Sequence, residues 1–318
     1  MSQSHKIAAI SMVKDEADII ELFIKINSKW IDHFYIVDHS STDKTLDIIV
    51  ALKNAGYPIT VLTYAEIQYN QVLVTNSLLR MAANTNDYKF IIPLDADEFI
   101  FNPQPNSLID TLTSEISTGS CGLLRWVNYA PLSNSYFSFG NPLYEIFRKR
   151  SVEPTQFYKV VIPIELAING STTMGNHQFL INGKNSNYSL VSPFLQHCPV
   201  RSSEQLIAKS IIGSHRFSLK PDRKPSEGFH WDVISQKIRN KNFELNDEDL
   251  LEIALLYATN SEQSINGIHL VLDSERIGSS TENIEFKELS RINCIRNFDL
   301  FSNELCEKIN QLQTQKTN

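Results

Sequence analysis

Four short apolar runs, separated by segments with helical spacing, constrain the first hundred residues more than any other feature. Ile7-Ala8-Ala9-Ile10-Ser11-Met12-Val13 reads as a buried strand. Phe34–Val37, Ile59–Thr63 and Phe90–Leu94 repeat that pattern. Between them, Ile19–Trp30 carries apolar residues at Ile19, Leu22, Phe23, Ile26 and Trp30, the spacing of one helix face. Thr45–Lys53 and Asn70–Thr85 read as two further helices. The polar stretch Asp38–Asp43 suits a loop that caps the second helix, and Asn54-Ala55-Gly56 stops it. Strands alternating with helices in this order predict an α/β, mostly parallel sheet with helices on both faces.

Ligands of such sheets bind beyond the carboxyl ends of the strands. Three polar clusters fall at such ends: Lys14-Asp15-Glu16, Asp38 to Asp43, and Asp95 to Glu98. The fold is expected to bring them to one rim. In Asp95-Ala96-Asp97, two carboxylates flank one small residue at the end of an apolar strand. Half-buried carboxylates repel each other unless a cation joins them. A hard divalent metal with oxygen ligands, Mg²⁺ or Mn²⁺, meets that need and grips substrate phosphates as well. The same three residues can also form an ordinary acidic turn. Asp38 is placed to accept hydrogen bonds from a ribose or a base, whereas Asp43 suits a helix cap equally well.

Taken together, three segments carry a resemblance. They are Ala9-Ile10-Ser11-Met12-Val13-Lys14-Asp15-Glu16, Val37-Asp38-His39-Ser40-Ser41-Thr42-Asp43-Lys44-Thr45 and Leu94-Asp95-Ala96-Asp97-Glu98-Phe99. The chain resembles the family-2 glycosyltransferases, and more narrowly the bacterial family-2-like branch with Asp-x-Asp-Glu-Phe. The likeness covers residues 7–101 and continues in Gly175-Asn176-His177 and in His197-Cys198-Pro199-Val200-Arg201-Ser202 with Gln205 and Lys209. It does not clearly cover residues 240–318.

The resemblance implies a GT-A (Rossmann-like) fold, a nucleotide-diphosphate sugar donor of the UDP-sugar kind, and Mn²⁺ or Mg²⁺. By position, Asp38 would contact the uridine, with Glu16 and the backbone at Met12 close by. Asp97 would ligate the metal, and Asp95, also a candidate at the metal, would contact the ribose or a metal-bound water. His177 and His197 are the candidates for a histidine completing the metal site; either can equally be a structural histidine. His39 stands where the family keeps an acidic or polar residue. The Glu-Asp pair that many inverting members use as general base is missing. Glu145 and Glu165 are the candidate bases in the second half of the chain, and both suit surface carboxylates as well.

Among the second-half cations, Lys159, Arg201 and Lys209 are candidates for neutralising a diphosphate. The run Arg148-Lys149-Arg150 reads as a solvated charged face. Trp126 and Tyr129, after a strand-like Leu123–Val127, are candidates for the acceptor side, because aromatic faces pack on sugar rings. Tyr158 to Ile164 is another strand, and the pair His230-Trp231, after a Lys/Pro/Gly-rich loop, reads as part of a flexible lid. The pattern from about Asn246 is helical, with Leu250, Leu251, Ala254, Leu255 and Ala258 on one face. The expected division is a catalytic domain over residues 1–240 and a helical C-terminal extension over 241–318. Within the first, the nucleotide-binding half spans about 1–120 and the acceptor half about 121–240.

Composition limits the alternatives. Of 318 residues 42% are hydrophobic, enough for a large core, and the net charge of −7 disfavours general nucleic-acid binding. Cys121, Cys198, Cys294 and Cys306 form no CxxC pair, which argues against structural zinc. No apolar stretch reaches the ~18 residues of a membrane span. The reading is a cytoplasmic protein, compatible with peripheral association at the inner face of a membrane, acting on a carbohydrate or glycolipid acceptor. A rival, a sugar nucleotidyltransferase, would normally carry a Gly-rich basic loop after the first strand, where Lys14-Asp15-Glu16 stands. A second rival is a non-catalytic carbohydrate-binding protein on the same scaffold.

Overall fold

The computed structural model describes residues 6–66, 69–85, 87–132, 147–218, 223–224, 227–257, 266–272, 284–286, 301–302, 304–305, 307–309 and 311. Glu145 lies outside them, as do Cys294 and Cys306. The first four strands are β1 (Ile7–Val13), β2 (His33–Asp38), β3 (Ile59–Thr63) and β4 (Phe90–Pro93). They pair in parallel in the order β4-β1-β2-β3. The connecting helices are α1 (Ile20–Asn27), α2 (Thr45–Asn54) and α3 (Gln71–Thr85).

β1 explains why this block holds together. Its side chains alternate between the two faces. Ile7, Ala9 and Val13 join a core with Phe23 and Ile24 of α1 and Ile48, Ile49 and Leu52 of α2. Ala8 and Ile10 join Val74, Leu78, Leu79 and Ala82 of α3 on the opposite face. A strand buried on both sides must be apolar throughout, which is the run read from the sequence. Each fully buried aliphatic side chain of this kind contributes about 1.5–3 kcal/mol.

Beyond β4 the same sheet becomes mixed. β5 (Glu98–Phe101), β6 (Ser120–Pro131), β7 (Phe147–Arg150), β8 (Tyr158–Pro163), β12 (Asn187–His197) and β13 (Leu270–Val271) extend it. Among the described residues this gives ten strands, with the path β13-β7-β6-β8-β4-β1-β2-β3, and β12 bridging β5 and β6. A small antiparallel sheet holds β9 (Gly170–Thr172), β10 (Phe179–Ile181) and β11 (Lys184–Asn185). The expected class, an α/β sheet flanked by helices, is the architecture observed; its parallel block is the four-stranded first part.

β12 has no clear strand pattern in the sequence, because Pro193 and several polar residues interrupt it. The chain accommodates them by a register shift between Leu190 and Phe194 against β6. The run Arg148-Lys149-Arg150 also departs from expectation. It lies in β7, and Arg150 is buried, donating to the carbonyls of Leu255 and Tyr257 and pairing with Glu153. Its charge is held by partners and not by water.

Further helices are α4 (Leu108–Glu115), α5 (Ile164–Ala167), α6 (Ser203–Ser218), α7 (Phe229–Asn240) and α8 (Asp247–Leu255). His230 and Trp231 stand in the first turn of α7. Asn246 and Asp249 form a reciprocal cap at the start of α8. A third core cluster, with Leu206, Ile211, Ile234, Ile238, Leu250 and Ile253, binds α6, α7 and α8 together across position 240. Among the described residues no helix is long and apolar enough to cross a membrane.

Candidate functional site

Asp95, Ala96 and Asp97 occupy the turn from β4 to β5. The turn is closed by Asp95 N–H donating to Glu98 Oε2 (2.9 Å) and Glu98 N–H to the Asp95 carbonyl (3.1 Å). Antiparallel pairing sets His197 of β12 opposite Glu98, and parallel pairing sets it beside Asn128 of β6. Strand register thus brings His197 next to Asp97, one hundred residues away in the chain. The Cys198 N–H, 2.8 Å from the Asp97 carbonyl, locks the two segments together.

The loops after β1 and β2 are tied to each other. The Asp15 carboxylate accepts from the Thr42 N–H at 2.6 Å and the Thr42 hydroxyl at 3.1 Å, and the Glu16 N–H donates to Thr45 Oγ1 at 2.8 Å. Asp38 is buried at the end of β2. Its Oδ2 accepts from the Ser41 N–H at 3.0 Å, while its Oδ1 has no partner among the described residues. Burial raises the pKa of Asp38 despite the Ser41 hydrogen bonds.

The acidic groups meet three cations. Lys209 of α6 sits between Glu16 Oε1 (2.8 Å) and Asp97 Oδ2 (3.0 Å). Arg201, fully buried before α6, binds Asp18 Oδ2 (2.7 Å) and Glu16 Oε2 (2.5 Å), with Asp97 Oδ2 at 3.6 Å. Lys159 of β8, also fully buried, holds Asp95 Oδ2 at 2.6 Å and Glu98 Oε1 at 3.4 Å. Burial opposes the charge on Asp97, but Lys209, with His197 and Arg201, holds its pKa well below the usual carboxylate range. For Glu98 burial prevails over Lys159 and pushes the pKa up to about 8. Burial lowers His197 to about 3, more than Asp97 raises it, so the ring is neutral.

A cavity of about 670 Å³ opens over this network. Met12, Glu16, Asp95, Asp97, Trp126, His177, His197 and Lys209, all singled out from the sequence, line it. Asp38, Lys159 and Arg201 are not on its wall; they lie beneath or beside it, the two cations with no exposure of their own. Tyr129 is core, its hydroxyl taken by Gln196 Nε2 at 3.0 Å. Glu165 is exposed on α5 and does not line the cavity. Further lining residues without a clear sequence signal are Tyr69, Arg216, Glu227 and Tyr257, whereas His230 and Trp231 were legible as an aromatic pair.

The donor chemistry fits a hard divalent cation. Asp97 Oδ1 and His197 Nε2 face each other at 3.7 Å, and the Asp95 side chain keeps a third of its surface open (33%). His177 has its Nδ1 2.7 Å from the Tyr158 carbonyl and its ring edge-on to Trp126. Among the described residues no three His, Cys, Asp or Glu side chains form a ready cage. A cation here would therefore draw further oxygens from its substrate, the usual habit of Mg²⁺-type ions.

No protein-family model matches the sequence, and no curated protein matches it. Solved structures give faint likenesses. A mannosyltransferase from Pyrobaculum calidifontis, in complex with GDP-Man and Mn²⁺, aligns at a TM-score of 0.35 and 11% identity, over 74% of this chain and 71% of that one. Glucosyl-3-phosphoglycerate synthase from Mycobacterium tuberculosis, with Mn²⁺, UDP and glucosyl-3-phosphoglycerate, aligns at 0.27 and 16% identity, over 38% of this chain and 44% of its own. HddC from Yersinia pseudotuberculosis aligns at 0.33 and 7% identity, over 60% and 92%.

Proposed function

We propose that the chain is a GT-A glycosyltransferase that moves a sugar from a nucleotide-diphosphate donor, of the UDP-sugar kind, to a carbohydrate or glycolipid hydroxyl. The observation that carries this reading is the convergence of Glu16, Asp95 and Asp97 from strand ends on one cavity, with Asp97 Oδ1 facing His197 Nε2 at 3.7 Å. Asp97 and His197, with Asp95, would hold Mn²⁺ or Mg²⁺. Such a cation supplies Lewis-acid stabilisation of charge on a departing diphosphate.

The protein's own groups account for the rest. Asp38, beside the cavity and not on its wall, keeps one carboxylate oxygen without a partner among the described residues, and in this reading that oxygen meets a nucleobase or ribose donor. Lys209, partly exposed at the cavity, adds positive charge beside the diphosphate, while Arg201 and Lys159 act from below by holding Glu16, Asp18 and Asp95 in place. Trp126 gives an aromatic wall to the acceptor side. Glu227 lines the same cavity and is the carboxylate we assign to remove the acceptor's proton. A single displacement of this kind inverts the anomeric centre.

Calorimetry with UDP and GDP, with and without Mn²⁺, tests the reading. The wild-type chain should bind a nucleoside diphosphate more tightly with Mn²⁺, and Asp97→Ala should lose that increment. Absence of nucleotide binding, or an unchanged Mn²⁺ increment in the variant, overturns it. Glu227→Gln should cut sugar transfer by about 10²–10⁴-fold and leave donor affinity in place.

A further inference from the structure

We propose that Asn128, held by Glu153 and Arg150, is a positioning residue that fixes the His197 ring with its hydrogen on Nδ1 and the Nε2 lone pair turned toward Asp97. Both oxygens of Glu153 accept from Asn128: Oε1 from its backbone N–H and Oε2 from its side-chain Nδ2, each at 2.7 Å. Arg150 pairs with the same carboxylate and is itself anchored on the carbonyls of Leu255 (3.0 Å) and Tyr257 (3.1 Å). A carboxylate beside an arginine only accepts, so the NH₂ end of the Asn128 amide must face Glu153.

That leaves Asn128 Oδ1 facing His197 Nδ1 at 2.7 Å. An amide oxygen at this distance requires a hydrogen on Nδ1. In the neutral ring the lone pair then sits on Nε2, which faces Asp97 Oδ1 at 3.7 Å. Two acceptors turned toward each other across that gap lack a proton to share, and a cation is the partner they suit. Packing prevents the ring from escaping by rotation: Trp126 stacks on it at 4.1 Å and 26°, and Tyr257 meets it edge-on at 5.8 Å. The relay joins β6, the turn after β7 and β12, and second partners of this kind orient metal-binding histidines in general.

The metal half of this inference rests on the proposed function; the tautomer half does not. The first measurement is ¹⁵N NMR of histidine-labelled, metal-free protein. His197 should show a protonated Nδ1 in the wild type and in Asn128→Asp, which keeps the acceptor. Asn128→Leu, which removes it, should shift the ring toward the other tautomer, and Glu153→Gln should do so in part. The second measurement is Mn²⁺ affinity by electron paramagnetic resonance, with an expected loss of about 10–100-fold in Asn128→Leu and a much smaller change in Asn128→Asp. A purely structural role for the Glu153 contact predicts the reverse ranking for Asn128→Asp, which sets a second carboxylate against Glu153. A protonated Nε2 in the wild type, or an unchanged tautomer in Asn128→Leu, overturns the proposal. A correct tautomer series without Mn²⁺ binding upholds the relay and overturns the metal reading alone.

Discussion

Arg201 grips Asp18 with two hydrogen bonds, Nε to Oδ2 at 2.7 Å and Nη2 to Oδ1 at 3.0 Å, and the guanidinium has no exposure to solvent. This pair fastens the segment entering α6 to the loop after β1, where Glu16 lies. The same guanidinium reaches Glu16 and, at 3.6 Å, Asp97. One planar fork thus compensates three carboxylates, a geometry that an ammonium cannot copy.

Arg201→Lys should therefore behave as a broken buried ion pair, at a cost of about 3–5 kcal/mol, although formal charge is conserved. Urea unfolding of the two proteins measures it. A cost below about 1 kcal/mol would mean that the three carboxylates relax or take up protons freely, and that the guanidinium does not organise them.

The two halves of the chain differ in how much their sequence discloses. β1 was legible because both of its faces are buried, so apolar character and position coincide. The Asp95–Asp97 turn was legible because its residues are adjacent in the chain and follow a strand. His197, Asn128 and Glu153 form a relay only through the pairing of β12 with β6, and β12 carries Pro193 and a register shift that hide its strand character. Lys159 illustrates the same difficulty. The sequence suggests a cation for a diphosphate at Lys159, yet its ammonium is buried off the cavity wall, held by Asp95 and Glu98, which are distant in sequence.

Asp43 makes stability depend on pH. Its Oδ1 accepts from Thr45 N–H at 2.9 Å and its Oδ2 from Ala17 N–H at 3.0 Å. Burial first, and then the neighbouring Asp15, push its pKa from the ordinary 3.8 up to about 7, more than these hydrogen bonds lower it. The folded chain thus holds this proton more tightly than the unfolded one. Its stabilising effect is complete below the ordinary aspartate value and is lost as pH rises toward 7. Unfolding free energies measured from pH 4 to pH 7 should fall more steeply for the wild type than for Asp43→Asn. Parallel curves would show that Asp43 ionises in the folded chain as it does in the unfolded one.

Gly175 is the position where a methyl group should disturb the cavity most selectively. Its φ of +71° is left-handed, and an added Cβ would lie 2.5 Å from His177 Nε2. The backbone there cannot simply withdraw, because the Gly175 N–H donates to Gln71 Oε1 of α3 at 2.9 Å. Gly183, with a φ of +74° and nothing within 4 Å of an added Cβ, shares the backbone strain and lacks the clash. Each Gly→Ala change should cost about 1–2 kcal/mol from the left-handed backbone. Gly175→Ala should in addition displace the His177 ring from the Tyr158 carbonyl, visible as a changed ¹⁵N shift of that ring, and should weaken ligand binding in the cavity that His177 lines. Gly183→Ala should leave both unchanged. If the two variants prove alike in the His177 signal, the close approach of Gly175 does not hold that ring in place.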